Sequence, residues 1–114
     1  MAFSKEDVAK IFPKMVEHFD PAQAEGVDAL IQFALNGDNG GMYWLQIGDG
    51  RAQVGQGEVE NARMTLVSTA DDFANMMMGT TNPMQAFMTG KIKIKGDTSL
   101  ALKLMPLING IVNR

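Results

Sequence analysis

The chain predicts an α+β domain, and two changes of apolar period predict it. Val8, Ile11, Phe12, Met15, Val16 and Phe19 recur at helical spacing. From Asp28 the period drops to two and holds through Ser68, with glycine-rich breaks between runs. After Thr69 the spacing i, i+3, i+4 returns. At 114 residues a single domain spanning residues 1–114 can bury a core without disulfides or a structural metal.

Ser4 and Asp7 form the capping box that opens the first helix. Pro13 lies inside it and lacks the N–H of an intrahelical bond, so a kink or a division into two short helices is expected. Ile31, Phe33 and Leu35 then alternate with Gln32, Ala34 and Asn36, the mark of a half-buried strand. Met42 to Ile47 predicts a second strand with Tyr43, Leu45 and Ile47 on one face, closed by a Gly48-Asp49-Gly50 hairpin. A third strand runs from Arg51 to Val59, where Gly55 and Gly57 suggest a bulge or an edge, and a fourth from Ala62 to Ser68. These runs make a mostly antiparallel sheet.

Thr69 and Asp72 cap the next helix, which carries Phe73, Met76 and Met77 and stops at Gly79. Asn82-Pro83 starts another, with Met84, Phe87 and Met88 on one face and Gly90 at its end. Lys91 to Lys95 alternates as a short strand with Ile92 and Ile94 inward, and a last helix begins near Thr98. From Leu100 to Val112 that segment has almost no polar face, although Pro106 divides it, so its apolar surface needs cover from more than the sheet. A ligand, a partner chain or a membrane surface would serve.

Composition narrows the functions. There is no cysteine, which removes a disulfide scaffold, a Cys-based zinc site and a thiol nucleophile. The single histidine, His18, is expected at a helix end and cannot by itself build a multi-histidine metal site, so no catalytic residue, metal or cofactor is assigned. Asp71 and Asp72 suit the first turn of a helix, where acids complement the dipole. The glycines from Gly48 to Gly57 lack the G-K-[ST] of a phosphate loop. A net charge of −3 argues against nucleic acid. That charge is uneven: residues 1–72 hold 5 Lys/Arg and 12 Asp/Glu, residues 73–114 hold 5 and the single Asp97. Six of the ten methionines also lie between Met76 and Met105, and thioether side chains conform to irregular apolar shapes. Adaptable apolar surface beside positive charge suits an anionic amphiphile.

The order of motifs resembles the sterol carrier protein type 2 domain along nearly the whole chain. Ile31-Gln32-Phe33, Gly40-Gly41-Met42-Tyr43-Trp44, Asp49-Gly50, Asp71-Asp72-Phe73 with Met78-Gly79, and Phe87 through Asp97 running into Leu100 and Leu104 carry the resemblance. It implies a five-stranded sheet covered on one face by about four to five helices, with an apolar tunnel between them for fatty acid, fatty acyl-CoA, phospholipid or sterol. By position, Phe73, Met77, Met84, Phe87, Met88, Leu104, Met105 and Ile108 are expected to line it. Lys91, Lys93 and Lys95 alternate on one strand face, which either stands in water and guards the sheet edge or meets an acidic head group. Some members of that family end in a peroxisomal Ser-Lys-Leu signal. This chain ends Val112-Asn113-Arg114, so cytoplasm is the expectation. The expected function is non-catalytic lipid binding and transfer, with transient membrane-surface contact. The competing reading is an interaction module that dimerises or docks through its C-terminal helix, accessory to a lipid-metabolising enzyme. A small enzyme built around His18 is the least supported.

Overall fold

The computed structural model describes residues 4–20, 22, 26–100 and 103. Helix α1 (Lys5–Glu17) opens with the expected box: Asp7 N–H donates to Ser4 Oγ at 3.0 Å and Ser4 N–H to Asp7 Oδ2 at 3.1 Å. The Ser4 N–H, and after it the Ser4 hydroxyl, hold the Asp7 carboxyl below its ordinary pKa, because a hydrogen bond given to the carboxylate favours the charged form. The expected division at Pro13 does not occur; one helix runs through it. Pro13 lies on the exposed face, while Phe12 and Met15 on either side are buried and hold both halves against the same core.

Strands β1 (Ala29–Asn36), β2 (Gly41–Gly48), β3 (Arg51–Gln56), β4 (Met64–Thr69) and β5 (Ile92–Gly96) form one sheet in the order β3-β2-β1-β4-β5. Three of its pairings are antiparallel, and β1 pairs β4 in parallel. The β2–β3 hairpin is a two-residue turn, with Asp49 at φ 54° and Gly50 at φ 71°, the positive pair that matches strand twist. Gly55 is in the edge strand because Trp44 lies across it: a Cβ there would sit 2.3 Å from the indole Cζ2.

Helices α2 (Ala70–Met77) and α3 (Pro83–Met88) follow β4 directly, and helical residues resume at 98–100 and 103. The core lies between one sheet face and the helices. Phe12 of α1 stacks on Tyr43 at 4.2 Å and on Phe73 of α2 at 5.5 Å, and meets Phe33 edge-on at 5.3 Å. This cluster pins α1 and α2 to β1 and β2, since aromatic pairs add to the stabilisation from buried area.

Two expectations about the strands change. The third strand ends at Gln56 rather than Val59, and β1 is not half exposed, because Gln32 on its second face is 3% exposed. Both have one cause. The segment from β3 to β4 returns across the sheet face opposite α1 and α2, and Gly57 leaves the strand at φ 114°. Gln32 holds that return: its Nε2 donates to Tyr43 O at 2.6 Å and Gly57 O at 3.1 Å, and its Oε1 accepts from Val59 N–H at 2.6 Å. Gln32→Leu would leave these backbone groups unpaired, and is expected to lower stability by about 2–4 kcal/mol in urea denaturation. An unchanged midpoint would show that water replaces the amide without cost.

Candidate functional site

The candidate site begins where β4 passes into α2. Thr69 closes the strand and caps the helix, its hydroxyl accepting from Asp72 N–H at 3.1 Å. Asp71 and Asp72 occupy the first turn as the dipole favours, and Asp71 accepts from Asn39 Nδ2 at 2.9 Å. From there the chain carries no charged side chain from Phe73 to Gly90.

Helix α3 is short and fixed at both ends. Asn82 Oδ1 accepts from Met84 N–H at 2.9 Å and Gln85 N–H at 3.2 Å, and Pro83 occupies the first helical position, where its missing N–H has no cost. At the other end Gly90 takes φ 81°, which lets Lys91 N–H return to Ala86 O at 3.0 Å. These caps set the helix rotation. Pro83 and Ala86 turn inward, leaving Met84 44%, Phe87 44% and Met88 78% exposed on the other face.

The expected lining residues therefore fall into three groups. Phe73 and Met77 are buried in the core, Phe73 within the aromatic cluster. Met84, Phe87 and Met88 form the exposed apolar face of α3. Leu104, Met105 and Ile108 lie outside the described residues, as do Pro106 and most of the apolar C-terminal segment. Met78, absent from the expected lining, is 62% exposed at the end of α2.

Lys91 adjoins α3, and all three lysines are exposed. On β5, Ile92 is buried and Ile94 half-buried on the core face, so Lys93 and Lys95 stand on the other face of that edge strand. Asp97, the one acid after residue 72, is already committed. The Ser99 hydroxyl, the Arg63 guanidinium at 2.7 Å and the Leu100 N–H hold its carboxyl at about 2. It ties β5 to the segment before β4 and starts the helical turn at residue 98.

The other candidate groups keep their plain roles. His18 is the C-cap of α1, its N–H donating to Lys14 O at 3.0 Å. No group of His, Asp and Glu suited to a metal occurs among the described residues. Gly48 to Gly57 belongs to the β2–β3 hairpin and its exit. No helix among the described residues is long and apolar enough to cross a membrane.

Comparison with known proteins agrees with this geometry. The SCP-2 sterol transfer family matches residues 12–109, and the chain belongs to that family. Among its relatives, hydroxysteroid dehydrogenase-like protein 2 of Homo sapiens is 40% identical over 86 residues, covering 75% of this chain and 21% of the relative. The chain thus spans about a fifth of the length of the curated relatives it matches. The solution structure of sterol carrier protein domain 2 of Helicoverpa armigera superposes with a TM-score of 0.73 at 30% identity, covering 92% of this chain and 85% of that one. The palmitated SCP2L2 of Aedes aegypti shares the fold, with a TM-score of 0.77 at 23% identity over 93% of this chain and 95% of that one.

Burial separates two kinds of apolar residue here. Phe73→Ala should cost about 3–5 kcal/mol by opening a cavity in the aromatic cluster, whereas Met88→Ala should change stability by less than about 0.5 kcal/mol. Urea midpoints of the two variants check this, and equal losses would mean that Met88 is as firmly packed as Phe73.

Proposed function

We propose that this chain, as one domain over residues 1–114, binds a lipid with a fatty-acyl or sterol-like body in an apolar tunnel between sheet and helices. It transfers that lipid without performing chemistry on it, and no cofactor is assigned. The observation that carries the reading is the outward apolar face of α3, Met84, Phe87 and Met88, beside Lys91 in a chain of the sterol transfer family. A soluble domain rarely leaves such side chains together unless something binds there. Burying a methylene contributes about 0.8 kcal/mol, so an acyl chain supplies the affinity and specificity for chain length stays broad. The same fold in the palmitated Aedes aegypti protein is compatible with an acyl occupant. Phe73 and Met77 are assigned to the inner wall, Met84, Phe87 and Met88 to the entrance, and Leu104, Met105 and Ile108 to the remaining lining. Lys91, with Lys93 and Lys95 acting through space, favours an acidic head. The proposed setting is a reducing cytoplasm, consistent with a chain that has no cysteine.

The length of the relatives favours one other reading. A segment that spans a fifth of a hydroxysteroid dehydrogenase-like protein can act as an accessory module to an enzyme, docking or dimerising through its C-terminal segment. Ligand titration separates the two. Met84→Asp and Phe87→Asp should each weaken a fluorescent fatty acid at least about ten-fold, because a carboxylate beside an acyl chain must be desolvated. Lys91, Lys93 and Lys95 replaced together by Gln should narrow the preference for palmitate over hexadecanol only a few-fold, since exposed charges are screened. Folded variants with wild-type affinity for the fatty acid would remove α3 from the site and favour the docking module.

A further inference from the structure

We infer that Met84 and Met88 form a reversible modification site, at which oxidation by a peroxide switches lipid binding off. The consequence rests on the lipid-binding reading, whereas the chemistry needs only exposed thioethers. The chain holds ten methionines and no cysteine, so a peroxide meets no thiol before it meets a thioether. In the reaction the peroxide O–O bond breaks. One oxygen bonds to the thioether sulfur, which is oxidised by two electrons, and the other leaves as water. Methionine sulfoxide reductases reverse the step, with a dithiol as the reductant.

Burial decides which methionines a peroxide reaches. Met15, Met64, Met76 and Met77 belong to the core and are each no more than 7% exposed. Met42, Met78, Met84 and Met88 are the exposed methionines among the described residues. Of these, Met84 and Met88 share one helix at i and i+4, so both stand on the outer face of α3 with Phe87. The other two stand elsewhere. Met42 precedes the inward Tyr43 on β2 and faces away from the helices, and Met78 is the C-cap of α2.

The position of α3 does not depend on either sulfur. Its inward residues are Pro83 and Ala86, and its ends are fixed by the Asn82 side chain and by the Lys91 N–H bond to Ala86 O. None of these groups reacts with peroxide under conditions that oxidise a thioether, so the helix keeps its place while its outer face changes. That change is from apolar to polar. A thioether conforms to an acyl chain, whereas a sulfoxide carries a strong dipole whose oxygen accepts hydrogen bonds and has to shed water to meet hydrocarbon. The entrance assigned to Met84, Phe87 and Met88 then loses two of its three apolar side chains without loss of the fold.

The test treats the whole chain with hydrogen peroxide and locates the added oxygen by peptide mass spectrometry. A fluorescent fatty acid is titrated before treatment, after it, and after repair by methionine sulfoxide reductases A and B with dithiothreitol. Met84 and Met88 should react at least about ten-fold faster than Met15, Met64, Met76 and Met77. Affinity should fall at least about ten-fold while the urea midpoint stays unchanged, and repair should restore it. Each variant is read as its own ratio of treated to untreated affinity. The double variant Met84→Leu, Met88→Leu should lose less than about two-fold on treatment, whereas Met42→Leu and Met78→Leu should lose as much as the parent. Undiminished affinity in protein oxidised at both positions overturns the inference alone. So does a loss that persists in the double variant, resists repair or comes with a lower urea midpoint, because the damage then lies elsewhere. Untreated protein that takes up no fatty acid sinks the lipid-binding reading and the switch with it.

Discussion

The fold depends on one buried amide. The sheet order places β3 and β4 on opposite sides of the β2–β1 pair, so the chain between them must return across a sheet face with its peptide groups facing strands already paired. Buried peptide groups without partners are costly, and a loop over a sheet carries several. Gln32, in the central strand, donates to Gly57 O and accepts from Val59 N–H where the return passes over it, and its amide is anchored by a further N–H bond to Tyr43 O of β2. Arg63 extends the tie, its N–H donating to Leu30 O and its guanidinium to Asp28 O and Asp97. With that crossing fixed, β4 lies parallel to β1, and the chain leaves β4 on the side where α2 can bring Phe73 to Phe12. The functional face follows from this placement, because α3 and β5 are reached only through α2.

The two faces of the sheet divide the work. On one, the aromatic cluster of Phe12, Phe33, Tyr43 and Phe73 makes a packed wall that a bound molecule would find rigid. At the margin of that wall the packing thins into α3, whose inner face is only Pro83 and Ala86. Asn82 caps this helix at its start, and the Lys91 N–H returns to Ala86 O at its end. That arrangement suits a part of the molecule that meets lipid.

Much of this architecture was legible in the sequence, because it is written in local signals. The Ser4–Asp7 box, the Asp49-Gly50 turn, the Asn82-Pro83 start and the Lys-Ile alternation of β5 each depend on residues a few positions apart, and each appears where its chemistry requires. Gln32 was not legible. In an alternating run a glutamine reads as the wet face of a strand, and only the crossing segment 25 or more residues later makes it a buried clamp. At Pro13 the division into two helices does not occur, because Phe12 and Met15 on either side are buried in the same core and one missing bond does not separate them. Of the candidate site, the uncharged Met-rich stretch could be read directly. The difference between Phe73 in the core and Met88 in the open could not, since both sit on amphipathic stripes of the same period and only tertiary contact distinguishes them.

The central claim is that this domain exists to hold a lipid, and native mass spectrometry of the purified protein tests it most directly. The account predicts a population heavier than the bare chain by the mass of a long-chain lipid, which is lost on delipidation and restored by adding palmitate. A protein that flies only as the bare chain, before and after exposure to fatty acid, acyl-CoA, phospholipid and sterol, would contradict it.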